Sequence, residues 1–238
     1  MRIKAFLLFF LFVLIFSCQE EVPKISFIEL NHSLADTNVV EINIPKAIGD
    51  SEITEKINAA LETKVISCLN TNDSINSNTK TLKESINSFN KEFENFKNNF
   101  PKSQQLWEAQ IDGEVLYQSD DIISASITSY INTGGAHGNL NVTFLNFSTK
   151  TGSLIPNDKL FDDLEIFKKI VKPYFLQSIK NKEISDNETF RIPQNIGFKE
   201  DGLILLYNTY EIAPYSVGII EFIVPFEEIK SCLVFDSF

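Results

Sequence analysis

Histidine, cysteine and positive charge are all scarce in this chain of 238 residues. Two histidines and three cysteines supply no ligand set at metal-binding spacing, so neither a metal nor any other cofactor is expected. Lys and Arg total 21 against 32 Asp and Glu, a formal charge of −11. Such a chain has no basic surplus to neutralise phosphates, which argues against nucleic acid as a partner. It argues equally against docking on anionic lipid through surface charge. Signature loops are missing too. There is no GxGxxG, no GxxxxGK followed by Ser or Thr, no G-x-S-x-G elbow and no H-E-x-x-H. Carboxylates alone can run glycan chemistry, but among so many acidic residues any chosen pair is arbitrary. No catalytic residue is therefore named, and a non-enzymatic role is expected.

What is present begins with an address. Arg2 and Lys4 precede an unbroken apolar run from Ala5 to Phe16, the length of a signal-peptide core and short for a membrane span. The run closes on Ile15-Phe16-Ser17-Cys18. That ending resembles a bacterial lipobox, in which Cys18 takes the lipid and holds the mature protein on a membrane. Residues 1–17 then form the signal peptide and 18–24 a lipidated tether. Gln19, rather than Asp, resembles an outer-membrane sorting signal, so the expected location is the outer membrane, facing periplasm or cell surface. Such a compartment permits a disulfide. Cys68 and Cys232 either pair or remain two buried thiols, and the sequence leaves both open.

Hydrophobic residues make up 43% of the chain, which excludes wholesale disorder. Strand patterns cover Lys24–Leu30 and Asn38–Ile44, with Pro45 ending the second and His32 in a loop between them. Helical stripes follow. Ile53, Ile57, Ala60, Leu61, Val65, Cys68 and Leu69 share one face over 51–69, with Asp50 or Ser51 as cap. Leu82, Ile86, Phe89, Phe93, Phe96 and Phe100 share another over 82–100. The period then changes to two. Trp107, Ala109 and Ile111 run up to Asp112-Gly113, and Val115 and Tyr117 lead on to Asp120-Asp121. Ile122–Ile131 and Leu140–Phe147 continue an antiparallel meander. A third helix is predicted over 161–180, with Asp162 and Asp163 at its positive end and Pro173 inside it. Strands at Asn195–Phe198, Leu203–Tyr207 and Gly218–Val224 precede a short helical turn after Pro225. The fold class is α+β, a mainly antiparallel sheet packed by three helices. The N-terminal half spans 25–155 and the C-terminal half 156–238, packed as one compact unit.

Two segments stand out as candidate binding elements. Tyr130-Ile131-Asn132-Thr133-Gly134-Gly135-Ala136-His137-Gly138 ends a strand in a glycine-dense turn. Such a turn permits positive φ and can present backbone amides beside His137. The other segment carries Tyr207, Tyr210, Glu211 and Tyr215 between two strands. Clustered tyrosines offer rigid amphipathic contact for proteins or sugars. Each segment has a structural alternative: the glycines make a tight bend, and Tyr210 with Glu211 braces its own loop.

These segments also carry an ordered motif set. It comprises Tyr130-x-x-Thr133-Gly134-Gly135-Ala136-His137-Gly138, Asn146-Phe147-x-x-x-Thr151-Gly152 before Leu160-Phe161, and Tyr210-Glu211-Ile212-Ala213-Pro214-Tyr215-x-x-Gly218. Over about residues 25–235 the chain resembles the paired extracytoplasmic domains of unknown function in lysozyme-sensing anti-sigma factors. The same domains occur ahead of the catalytic domain of some peptidoglycan deacetylases. The resemblance implies an α+β fold, a cell-envelope location and a binding or sensing role, with peptidoglycan, another glycan or an envelope protein as ligand. A basic protein such as lysozyme is the specific alternative partner, drawn by the acidic surface. With no sigma-binding segment ahead of residue 18 and no deacetylase domain after Phe238, neither of those two activities is expected. The glycine turn and the tyrosine loop are expected to lie close together.

Overall fold

In the computed structural model, residues 25–33, 39–49, 51–70, 81–182, 184 and 190–235 are described. Residues 1–24, which hold the expected export segment, Cys18 and its tether, lie outside them. So do Asp50, the polar stretch 71–80 and most of 181–189.

The fold is α+β, and the described residues form a five-stranded sheet, a three-stranded sheet and four helices. Strands β1 (Ser26–Ser33) and β2 (Val40–Ile48) form an antiparallel pair. Helices α1 (Ser51–Leu69) and α2 (Leu82–Asn99) carry the chain across to β3 (Glu108–Gln118), which pairs with β2 in parallel. A parallel neighbour requires such a crossover, since a tight turn can join only antiparallel strands. Strands β4 (Ile122–Asn132) and β5 (Asn139–Ser148) complete the meander.

Two local expectations along this stretch are corrected. The backbone of His32 lies within β1, opposite Ile42, not in a loop. Pro45 does not end β2. The β2–β3 pairing stops at Asn43, so the missing proline N–H interrupts no ladder bond to β3, and β2 runs on to Ile48. Asp112-Gly113 lies inside β3. A Cβ on Gly113 would come within 2.8 Å of both the Pro45 ring and Ile127, so this glycine serves a close backbone approach.

Alternation decides which face is which. Ile42, Ile111, Ile123, Ala125, Ile127 and Phe147 turn toward α1 and α2, where Ile57, Leu61, Val65 and Phe89 close the first core. The α2 stripe is buried only in its first half, at Leu82, Ile86 and Phe89. Phe93 and Phe96 pack around Trp107, and Phe100 stays exposed. A capping box fixes the start of α2. The Thr81 hydroxyl accepts from the Glu84 N–H at 3.2 Å, and the Glu84 carboxylate accepts from the Thr81 N–H at 2.8 Å.

The second half forms its own sheet: β6 (Asn195–Lys199), β7 (Gly202–Tyr207) and β8 (Ile220–Pro225), all antiparallel. Helix α3 (Leu164–Ile179) packs on β8 with Phe167, Val171 and Phe175 buried, and Pro173 lies within it. The Asp163 carboxylate caps α3, accepting from the Glu165 and Ile166 N–H groups at 3.0 and 2.9 Å. The helical turn α4 (Phe226–Ile229) follows β8 directly. Every residue of β7 is buried, as its unbroken apolar run requires.

The sheets meet where β6 lies across β3, β4 and β5. Polar side chains on the far face of β4 and β5 hold it there. Asn146 donates to the Ile196 carbonyl at 2.8 Å, and the Phe198 N–H donates to Ser124 Oγ at 2.9 Å. Gly197 lets β6 approach, since a Cβ there would stand 2.8 Å from the Phe144 ring.

Cys68 and Cys232 are both free thiols, which corrects the disulfide alternative. Cys68 packs half-buried against the first core on α1, while Cys232 is fully buried in the second core, beyond β8. Two cores separated by a sheet leave no geometry for a bridge. Burial, reinforced by Asp163, pushes the Cys232 thiol above its ordinary pKa, and it donates to the Ile229 carbonyl.

Candidate functional site

The glycine turn after β4 is shaped by its own side chains. Asn132 Oδ1 accepts from the Gly134 N–H at 2.9 Å, an Asx-type turn, and Gly134 adopts φ +83. Gln105 packs against the position a Gly134 Cβ would take, 2.8 Å away. Gly138 is buried against the Tyr130 ring, which lies 2.3 Å from where its Cβ would stand. Tyr130 therefore packs the turn from below. Gly135 and His137 are exposed.

The tyrosine loop is shaped by one carboxylate. Glu211 accepts from the Asn208 N–H at 3.0 Å through one oxygen and from the Gln194 N–H at 3.0 Å through the other. This is the bracing role weighed for Glu211, and it ties the start of the loop to the segment ahead of β6. Tyr207 is corrected as a contact residue. It is fully buried among Phe175, Ile220 and Phe222, and its hydroxyl donates to the Arg191 carbonyl at 2.5 Å. Burial first, and the Glu211 charge second, push the Tyr207 phenol well above its ordinary pKa. Tyr210 does the opposite. It is 63% exposed and sits at φ +67, a conformation that costs a bulky residue about 1–3 kcal/mol.

The two segments meet as expected. The His137 and Tyr215 rings stack with centroids 3.7 Å apart and planes 18° apart. Tyr210 stands 5.7 Å from Tyr215, centroid to centroid. The Gly138 carbonyl accepts from the Tyr215 hydroxyl at 3.2 Å and lies 2.9 Å from His137 Nδ1. A carbonyl only accepts, so His137 Nδ1 carries the proton in this contact. The result is an aromatic shelf of Tyr210 and Tyr215 edged by an imidazole, chemistry suited to the face and hydroxyls of a sugar or to a protein surface.

Two residues of this assembly escaped the sequence reading. Asn208 joins the loop to β5 as a strand would, its amide accepting from the Val142 N–H and donating to the Val142 carbonyl, both at 2.8 Å. Arg191 donates to the Glu211 carbonyl while its own carbonyl receives Tyr207. Arg191 did carry a signal, being one of two arginines in the chain and the only one beyond residue 2. Nothing local marks Asn208.

Residues 33–140 match the family described as Deacetylase PdaC, and residues 156–227 match the protein of unknown function family DUF3298. The two matched segments follow one another along the chain, the PdaC-like one first and the DUF3298-like one second. This is the paired-domain architecture expected from the motif set, at the level of the two families. Among curated proteins there is no match. Two solved structures share the fold. One is a member of the DUF3298 family from Bacteroides fragilis, 18% identical, TM-score 0.59, over 88% of this chain and 93% of that one. The other is a DUF3298 family protein from Pseudomonas aeruginosa, 16% identical, TM-score 0.57, over 88% of this chain and 94% of that one. At these identities the likeness is one of fold. His137 lies in the segment matched to PdaC and Tyr215 in the segment matched to DUF3298, so the ring stack joins the two matched segments.

Proposed function

We propose that this protein is a cell-envelope lipoprotein, anchored at the outer membrane through Cys18, that acts as a non-enzymatic binding module. Its ligand is a glycan, with peptidoglycan the favoured source, taken up on the Tyr210–Tyr215 shelf beside His137. The observation that carries this reading is the junction itself. Tyr210 is exposed at a strained backbone position, next to a stacked His137–Tyr215 pair drawn from the two matched segments. Strain in an exposed aromatic is an observed outlier from which a functional hypothesis can be drawn. A second reading rests on the charge of −11, which would steer a basic envelope protein such as lysozyme onto the surface.

Titration of the purified protein with soluble muropeptides, and separately with lysozyme, at low and moderate salt tests both. The expected result is muropeptide binding that disappears in His137→Ala and Tyr210→Ala while thermal unfolding is unchanged. Lysozyme binding that weakens steeply with salt supports the second reading. Turnover of a defined glycan would overturn both. For the anchor, Cys18→Ala should block lipid labelling, and normal labelling of that variant would sink the assignment.

A further inference from the structure

Away from this junction, a cavity of about 340 Å³ opens between the β1–β2 pair, α1 and the start of α2. Its walls include Leu30, Ile44, Leu61 and Leu82. Its volume falls within the range of small-ligand sites, roughly 300–1,000 Å³.

The polar groups in the lining fall into two sets. One set is already committed. Asn58 accepts from the Ala47 N–H at 2.8 Å and donates to the Ala47 carbonyl at 3.1 Å. Glu62 accepts from the Leu82 N–H at 3.2 Å, and Thr81 is held in the capping box. The second set is Lys46 from β2 and Lys83 from α2. Both are exposed and line the cavity, and neither forms an ion pair among the described residues. The Leu82 and Glu84 amides of α2 are occupied, so an incoming anion would be met mainly by the ammoniums. In a chain of charge −11, two unpaired ammoniums beside an apolar cavity run against the overall field and mark a local preference.

We infer that this cavity binds a single-chain carboxylate, its alkyl chain among Leu30, Ile44, Leu61 and Leu82 and its anionic end between Lys46 and Lys83. Burying the chain supplies the non-directional part of the affinity, in proportion to apolar area removed from water. The lysines supply selectivity for an anion over a neutral or cationic analogue.

Octanoate, octanol and octylammonium, each titrated into the full chain by calorimetry and by methyl NMR, test this. Octanoate should bind and shift the methyl signals of Leu30, Ile44, Leu61 and Leu82. Octanol should bind about tenfold more weakly, and octylammonium more weakly still. The exposed pair Lys46→Glu with Lys83→Glu should fold normally and weaken octanoate by about tenfold. Leu30→Trp, on the edge strand β1, should fill the cavity and abolish binding. The proposal fails if octanoate leaves those methyls unmoved, or if octanol and octanoate bind equally and the double variant changes nothing. It fails equally if a folded Leu30→Trp protein still binds octanoate. Anionic phospholipid vesicles that bind with the same lysine dependence, where octanoate does not, would replace a single-chain ligand with a membrane surface.

Discussion

The Thr133–Gly138 turn and the Tyr207–Gly218 loop meet at the Gly138 carbonyl, where Tyr215 donates and His137 lies in hydrogen-bonding reach, yet they are built by opposite means. The turn works by missing side chains. Gly134 takes a left-handed conformation and Gly138 yields its space to the Tyr130 ring. The loop works by side chains held in place. Glu211 ties down two backbone amides, Asn208 imitates a strand against Val142, and buried Tyr207 anchors the base. A turn shaped by glycine is tolerant in energy but easily obstructed. A loop shaped by a carboxylate depends on that one group. The comparison predicts that stability resides mostly in the loop and that access resides mostly in the turn.

The largest effect is expected at Glu211. Glu211→Ala removes the charged acceptor shared by the Asn208 and Gln194 amides, and should destabilise the protein by about 3 kcal/mol in denaturant unfolding. If it costs no more than a surface substitution, the loop is not held as described. Gly134→Ala should cost less, about 1–2 kcal/mol, because alanine is strained at φ +83 and its Cβ crowds Gln105. A larger loss there than at Glu211 would reverse the comparison.

Tyr207→Phe comes next, at about 1 kcal/mol near neutral pH, from the lost bond to the Arg191 carbonyl. It also carries a pH signature. The folded chain holds the Tyr207 proton above its ordinary 10.0, whereas the unfolded chain releases it there. Stability therefore falls as pH rises past that value, and the phenylalanine variant lacks this contribution. The two stability curves should converge above pH 10.0. Parallel curves would mean that the phenol ionises as freely in the fold as in the unfolded chain. The smallest effect is expected at Tyr210. Tyr210→Gly relieves the positive φ and should raise stability by up to about 1 kcal/mol. A clear loss instead would show that the exposed ring braces the loop rather than presenting a surface.

These differences track how much of each region was legible beforehand. The meeting of turn and loop was anticipated, as was bracing by Glu211. The separation of Tyr207 from Tyr210 was not, because three tyrosines in one segment carry no local mark of which faces the core. Tyr207 is buried since it closes β7, a strand covered along its whole length. Asn208 was missed because an asparagine after a strand looks like any turn residue until β5 is placed beside it.

By itself the sequence determined the three long helices and nearly all strand positions. Period, capping residues and turn chemistry act between neighbours a few residues apart, as at Thr81–Glu84 and Asp163–Ile166. Only the tertiary structure decided that the strands divide into two sheets, and that β2 passes through Pro45 and β3 through Asp112-Gly113. It alone decided that Cys68 and Cys232 sit in different cores. The serine face of β4 shows the reason. An Ile/Ser alternation normally sets one face in water, yet Ser124 and Ser126 are buried because β6 lies across that side. Which strand covers a face depends on partners far away in the chain, and alternation within one strand holds no information about them.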